Sequence, residues 1–224
     1  MIDVLKELED VIIEFNQYND ENLDIDSIRI EFNKTTKLNL LNQLGIWSKV
    51  NKNNKQIMDH INSSYRNIKV TNVYRLDKYN IYYYNLPDPP KYRKAVMVIF
   101  GLKQYHKEPP PRDIINSIIG ILKNISNIDV CKDLNNKPNL TNLKKHFTLN
   151  RYKLTNTYYI NDTKDITKLV KKVVLYDKAE KNDLDVVMWR IETNISLSNI
   201  KDKESALWLS LNYFQYEIIK LAKV

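Results

Sequence analysis

The chain has 224 residues, of which 43% are hydrophobic and 28% charged, and its formal net charge is +8. This length allows one large domain, or one domain with extensions, and the composition is that of a globular protein with a packed core. Three glycines and a single cysteine, Cys131, exclude a glycine-rich phosphate loop, a disulfide framework and a cysteine-based zinc site.

The first half of the chain predicts helices followed by a strand-rich stretch. Apolar residues at spacings of three and four predict an amphipathic helix over 2–16. Strict alternation predicts a strand over 27–33, with Ile28, Ile30 and Phe32 on its apolar face. Further helices are predicted over 38–50 and 56–65, strands over 73–86 and 94–102, and a turn over 87–93.

The second half continues with alternating helices and strands. The pattern predicts helices over 112–125, 139–147 and 203–223, strands over 127–134 and 156–162, and a hairpin over 173–195. Strands interleaved with helices and hairpins favour an α+β fold, with a mostly antiparallel central sheet and helices packed on one face. We expect an N-terminal helical extension over 1–24, a main domain over 25–200 and a C-terminal amphipathic helix over 201–224.

The hairpin "VVLYDKAEKNDLDVVMWRIETNI" (173–195) carries charges that a purely structural strand does not need. Alternation places Arg190 and Glu192 on one face, together with Tyr176 and Lys178 if the apolar faces of the two strands coincide. The same argument gives the strand 127–134 a polar face with Asp129, Cys131 and Asp133. The first strand contributes Arg29 and Glu31. These charges are either the solvated face of an antiparallel sheet or a functional site.

Carboxylates from separate strands on one face would suit a divalent cation. Close carboxylates repel one another unless a cation or a proton intervenes, and their oxygens are ligands for Mg²⁺ or Mn²⁺. Such an ion can polarise a phosphodiester, and Lys178 and Arg190 would then hold phosphates.

Four short motifs in the last third resemble the rolling-circle replication initiators of plasmids, in the Rep_trans group, and more weakly the nicking proteins of filamentous phages. The likeness spans roughly residues 25–195. The matching residues, in the family's order, are Asp129 and Asp133, Thr157 and Tyr159, Tyr176 to Lys178, and Trp189 to Glu192.

This resemblance implies a nickase and strand transferase. In those families a tyrosine attacks a DNA phosphodiester and becomes attached to the 5′ phosphate, assisted by a divalent metal. Carried over to this chain, the metal ligands are Asp129 and Glu192, with Asp133 and Glu31 as lesser candidates. Lys178 is a further catalytic candidate.

The nucleophile is where the sequence departs from the family pattern. The family's tyrosine lies shortly after the W-R-x-E strand, whereas the first tyrosines after Glu192 are Tyr213 and Tyr216. Both lie beside or opposite the apolar stripe of the C-terminal helix. They are candidate nucleophiles or ordinary surface tyrosines. The alternative function is therefore a non-catalytic descendant of the fold that binds nucleic acid or a protein partner.

The basic charge favours a polyanionic partner, and DNA is the expected one. The candidate DNA contacts are Lys171, Lys172, Lys178, Arg190 and His106. The aromatic run 79–85 either stacks on exposed bases or packs in the core. The charge could also be compositional, in a structural or regulatory protein. Further expected partners are a second copy of the chain or a replication protein. No signal peptide or membrane span is recognised, so a cytoplasmic location is expected.

Overall fold

The computed structural model describes residues 4–62, 70–86, 94–103, 109–153, 155–163 and 168–223. The chain divides into two compact units. The first unit comprises Met1–Leu5 and Ser27–Ser126, and the second comprises Lys6–Asp26 and Asn127–Val224. The predicted turn over 87–93 lies outside the described residues. The expected boundaries at 24 and 200 stay a prediction.

The first unit is an antiparallel sheet with helices between its strands. Its strands are paired in the order β2-β3-β4-β5-β1. The strands are β1 (Asp24–Asn33, of which Ser27 onward belongs to this unit), β2 (Trp47–Lys49), β3 (Thr71–Leu76), β4 (Ile81–Asn85) and β5 (Lys94–Phe100). The helices are α2 (Lys34–Leu41), α3 (Lys55–Asn62) and α4 (Arg112–Leu122).

The core of the first unit contains the apolar face predicted for β1 and the aromatic run of β4. Ile28, Ile30 and Phe32 are buried, as the alternation predicts. The three tyrosines 82–84 are buried as well, and the ring of Tyr83 stacks on that of Tyr74 at 4.8 Å between centroids. The rings of these three tyrosines pack in the core, as the packing interpretation of the run predicts.

The helix predicted over 38–50 is too long. Helix α2 ends at Leu41, and the chain turns at Gly45 into strand β2. Gly45 has φ = +154°, and a Cβ there would lie 2.5 Å from Oδ2 of Asp77. Oδ1 of the same carboxylate accepts a hydrogen bond from the Ile46 N–H at 3.2 Å. The glycine is required for this close approach, which directs the chain into a strand.

The second unit is also built on antiparallel strands, in the order β6-β10-β9-β8-β7. The strands are β6 (Asn127–Leu134), β7 (Thr148–Arg151), β8 (Thr157–Asn161), β9 (Val170–Asp177) and β10 (Trp189–Ser196). The helices are α1 (Val4–Asn19), α5 (Leu140–His146), α6 (Lys178–Asn182) and α7 (Lys203–Tyr213), followed by a π-helical segment (Phe214–Ile219) and α8 (Lys220–Lys223). The predicted α+β class with antiparallel pairing is confirmed. Nowhere in the described ranges is a helix long and apolar enough to cross a membrane.

Helices α1, α7 and α8 lie on one face of the second unit's sheet. Lys132 shares that face with Ile191, its partner in the register, and its ammonium is 2.5 Å from Oε2 of Glu21, just after α1. Glu21 also accepts from Lys223 of α8 at 2.8 Å. The rings of Phe15 and Trp208 meet edge to face at 5.2 Å and join α1 to α7. We call this face the helix side.

Helix α6 interrupts what the sequence pattern suggested was a simple hairpin. Asp177 ends β9 and caps the helix, because its Oδ1 accepts from the Glu180 N–H at 2.9 Å. A short polar side chain followed three residues later by Glu is the signature of a helix start, and this signal was missed. The edge strand β7 was also missed.

Replacing Asp177 by Ala should remove this cap. We expect a loss of about 1 kcal/mol of unfolding free energy, the usual effect of deleting an N-cap acceptor. Urea unfolding followed by circular dichroism measures it. Asp185→Ala, at an exposed position in the following loop, is the matched control and should be within error of the parent protein.

Candidate functional site

The register of the second unit brings residues of all four motifs onto one face of the sheet. Residues directly opposite one another in paired strands project to the same side. Three cross-strand rows result: Thr157, Tyr176, Arg190 and Asp133; Tyr159, Val174, Glu192 and Cys131; and Lys172, Asn194 and Asp129. Lys132 points to the opposite, helix side. The acids therefore share one face, as the alternation predicts, and we call it the acidic face.

Arg190 is the central cation of the acidic face. It is only 1% exposed. Its Nε and Nη2 donate to the two carboxylate oxygens of Asp133 at 2.6 and 2.8 Å. Its Nη1 donates to Oδ1 of Asp26 at 2.6 Å. A fork of this kind fixes two carboxylates from distant parts of the chain. Arg190 thus holds acids in place here and is not presented to a phosphate.

Asp26 belongs to this cluster, although the sequence argument did not include it. Burial raises the pKa of its carboxyl, against the effect of the neighbouring Arg190 charge. Strand β1 begins at Asp24, but the alternation Asp24, Ile25, Asp26 is out of phase with the pattern recognised from residue 27 onward, because the adjacent residues Ser27 and Ile28 are both buried. Following that alternation back from residue 27 would have assigned residue 26 to the apolar face, so the sequence pattern does not identify Asp26.

Glu192 is the most strongly perturbed acid of the face. Its pKa is raised to about 7, first by burial and then by the charges of Asp26 and Asp129. Its Oε2 lies 3.2 Å from the hydroxyl of Tyr176, which donates to it. Burial and the nearby Glu192 also raise the pKa of Tyr176 well above its usual value, so this phenol stays protonated. The Tyr176 hydroxyl is the group that the structure brings to Glu192.

Protein donors occupy carboxylate oxygens of the acidic face. Both oxygens of Asp133 are held by Arg190, and Oδ1 of Asp129 accepts from the Asn194 amide at 2.6 Å. Among the residues that the structure describes, no three Asp, Glu, His or Cys side chains come together as a group that could hold a metal ion. Asp129 and Glu192 share the face, and metal binding by these acids stays a prediction.

The remaining candidate residues are dispersed. Glu31 belongs to the first unit, where it is exposed and pairs in register with Val96. Lys178 is buried at the start of α6, and burial followed by the charge of Arg190 lowers its pKa. The ammonium of Lys171 donates to the carbonyl of Lys168 at 2.7 Å. His106 lies outside the described residues.

The two candidate nucleophiles lie on the helix side. Tyr216 is 48% exposed, and its hydroxyl is 3.3 Å from Oδ1 of Asn19 at the end of α1. The ammonium of Lys220 is 3.7 Å from the centroid of its ring. Tyr213 is the last residue of α7, and its hydroxyl oxygen is buried. Neither hydroxyl lies on the acidic face.

No protein-family model matches this sequence, and no curated protein matches it either. Among solved structures, the chain is similar to a rolling circle replication initiator protein from Geobacillus stearothermophilus. The two are 12% identical, the match covers 87% of this chain and 80% of that chain, and the TM-score is 0.40. A similarity of this extent assigns no activity to this chain.

Proposed function

We propose that this chain is a replication-initiator-like DNA-binding protein of a mobile element. The observation that carries the proposal is the shared face on which β6, β8, β9 and β10 place Asp129, Asp133, Thr157, Tyr159, Tyr176, Arg190 and Glu192. Four short motifs that are separate in the sequence thus form one surface. The ion pairs of Arg190 fix that surface, and Lys172 and Lys181, whose ammonium groups lie over the rings of Tyr159 and Tyr176, supply positive charge for phosphates.

Salt dependence of binding tests this proposal. We expect the intact chain to bind a mixed-sequence DNA, with an affinity that falls linearly in log–log coordinates as salt rises, since each phosphate contact releases counterions. Fluorescence anisotropy with labelled DNA, titrated at several salt concentrations in EDTA, measures the slope. A protein whose basic charge is only compositional would show no binding even at low salt, and that result would refute the proposal.

DNA cleavage is a more specific hypothesis than DNA binding. It would require a tyrosine oxygen to bond to phosphorus while the bond to the 3′ oxygen breaks and leaves a 3′ hydroxyl. The placement of Tyr213 and Tyr216 on the helix side, away from Asp129 and Glu192, favours the second candidate, a non-catalytic descendant that binds nucleic acid or a protein partner.

A nicking assay separates the two candidates. We expect no covalent adduct after incubation with supercoiled or single-stranded DNA and Mn²⁺, because no candidate tyrosine reaches the acidic face in this arrangement. An adduct that survives denaturation and is lost in Tyr213→Phe or Tyr216→Phe would instead establish a nickase. In that case Glu192→Gln and Asp129→Asn should each lower the yield, as expected of residues that bind a metal ion.

A further inference from the structure

The outer strands of the second unit carry a continuous run of tyrosines and lysines. The ring of Tyr152, just after β7, meets the ring of Tyr159 on β8 at 6.1 Å, edge to face. The ammonium of Lys153 lies 5.1 Å from the centroid of Tyr152, and that of Lys172 lies 5.2 Å from the centroid of Tyr159. These four residues form a cation–ring–ring–cation sequence, which we call the aromatic–lysine strip.

The strip leads directly to the acidic face. Tyr159 stands in the same cross-strand row as Glu192, with Val174 between them. Lys172 stands in the row of Asn194, whose amide donates to Asp129 at 2.6 Å. Adjacent strands are about 4.8 Å apart, so Tyr159 and Glu192 are separated by about 10 Å of sheet. A flexible chain bound along the strip would therefore reach the acids.

The strip is also accessible. Tyr152 is 41% exposed, whereas the tyrosines of β4 are buried in the first unit. Its neighbour Lys153 is exposed, and Lys172 and Tyr159 are half-buried. A lysine over a ring is held by the ring's quadrupole, an interaction that is weak at exposed sites. The exposed ammonium of Lys153 can leave its ring for a phosphate oxygen and uncover the π-face of Tyr152.

We propose that the aromatic–lysine strip binds an unpaired segment of nucleic acid. Bases stack on Tyr152 and Tyr159, and the backbone phosphates contact Lys153 and Lys172. Exposed rings interleaved with cations are the combination that single-stranded nucleic acid recognises, because every unpaired base has a free π-face. In a duplex those faces are covered by neighbouring bases. The inference rests on the proposed DNA-binding function and specifies the strand state and the residues.

The affinities of the same variants for single-stranded and for duplex DNA test whether the aromatic–lysine strip binds unpaired bases. The full chain is titrated in EDTA with a labelled mixed-sequence oligonucleotide, alone and annealed to its complement. Tyr152→Leu keeps an apolar side chain but removes the ring. It should weaken binding of the single strand by about 5- to 100-fold and change duplex binding by less than about 2-fold. Tyr152→Phe, which keeps the π-face, should bind as the parent does.

Two further variants distinguish stacking from charge. Lys153→Gln and Lys172→Gln should each reduce the slope of log affinity against log salt by about 0.7 for the single strand. Tyr18→Leu is the matched control, because Tyr18 is an 80% exposed tyrosine of the same unit at the end of α1, on the helix side. It should bind as the parent does.

The outcomes separate failure of the strip from failure of the proposed function. If the parent chain binds DNA but Tyr152→Leu binds the single strand equally well, the strip is refuted and DNA binding stands. Equal losses for single strand and duplex would also refute it, since stacking on unpaired bases predicts a difference. If the parent chain binds neither single-stranded nor duplex DNA at low salt, both the proposed DNA-binding function and the proposed role of the strip are refuted.

Discussion

Arg190→Met is expected to destabilise the second unit strongly. The change removes three hydrogen bonds to Asp26 and Asp133 and takes away the guanidinium that binds both carboxylates in a largely buried setting, where the charge of Lys178 still acts on them. Removing one partner of a buried ion pair costs about 3–5 kcal/mol, mostly because the remaining charge is uncompensated. The unfolding free energy should fall by that amount in urea at pH 7.

Control variants test whether the loss of stability comes from the uncompensated carboxylates of Asp26 and Asp133. Lys201→Met, at an exposed position of the same unit just before α7, also removes a basic side chain and should change stability by less than about 0.5 kcal/mol. Neutralising the partners with Asp26→Asn and Asp133→Asn in the Arg190→Met background should recover a large part of the loss. A small effect of Arg190→Met alone would contradict the view that Arg190 fixes the acidic face.

The strand pattern and its faces were accessible from the sequence because period-2 alternation follows directly from the pleat. Ile28 and Ile30 on β1, and Asp129 and Glu192 on β6 and β10, all lie on the faces that alternation assigns. Turns and helix ends that depend on single residues were harder to predict from the sequence. The turn at Gly45 depends on the distant Asp77, which no pattern within residues 38–50 reveals.

The partners of each charge could not be predicted from the sequence. Arg190 was expected to hold a phosphate, but three protein oxygens from Asp26 and Asp133 occupy its guanidinium. Residue 26 is 164 positions away in the chain, and only the folded register identifies it as a partner. The two alternatives, a solvated sheet face and a functional site, also left out a third, in which Arg190 forms largely buried ion pairs with Asp26 and Asp133.

The tyrosines show the same limit. The chain has fifteen tyrosines, so composition alone does not indicate which of them are exposed or functional. The run in β4 was the obvious aromatic cluster, yet it is buried, while the exposed ring of Tyr152 sits beside a short edge strand that the pattern missed. The T-x-Y motif did include Tyr159. Its pairing with Lys172 required the register of β8 on β9.

Glu192→Gln should make the protein more stable at neutral and alkaline pH. The folded state holds the pKa of this carboxyl near 7, against 4.5 as its reference. Between these values the folded chain keeps a proton that the unfolded chain releases, so unfolding free energy falls as pH rises. About 2.5 pKa units correspond to roughly 3 kcal/mol lost between about pH 4.5 and pH 7. Glutamine is uncharged throughout and can still accept from Tyr176.

The difference between parent and Glu192→Gln across pH isolates this carboxyl, because the other titrating groups are common to both proteins. Urea unfolding in steps from pH 4.5 to pH 8 should give equal stabilities at the acid end and a gap of roughly 3 kcal/mol in favour of the variant above pH 7. Glu217→Gln, at an exposed position near the C-terminus, should run parallel to the parent at every pH. Parallel curves for Glu192→Gln as well would mean that Glu192 is ionised in the folded protein, with a cation compensating its charge. Repeating the series with added Mn²⁺ would then show whether that cation is a metal ion, since a bound ion lowers the carboxyl's pKa and stabilises the parent but not the glutamine variant.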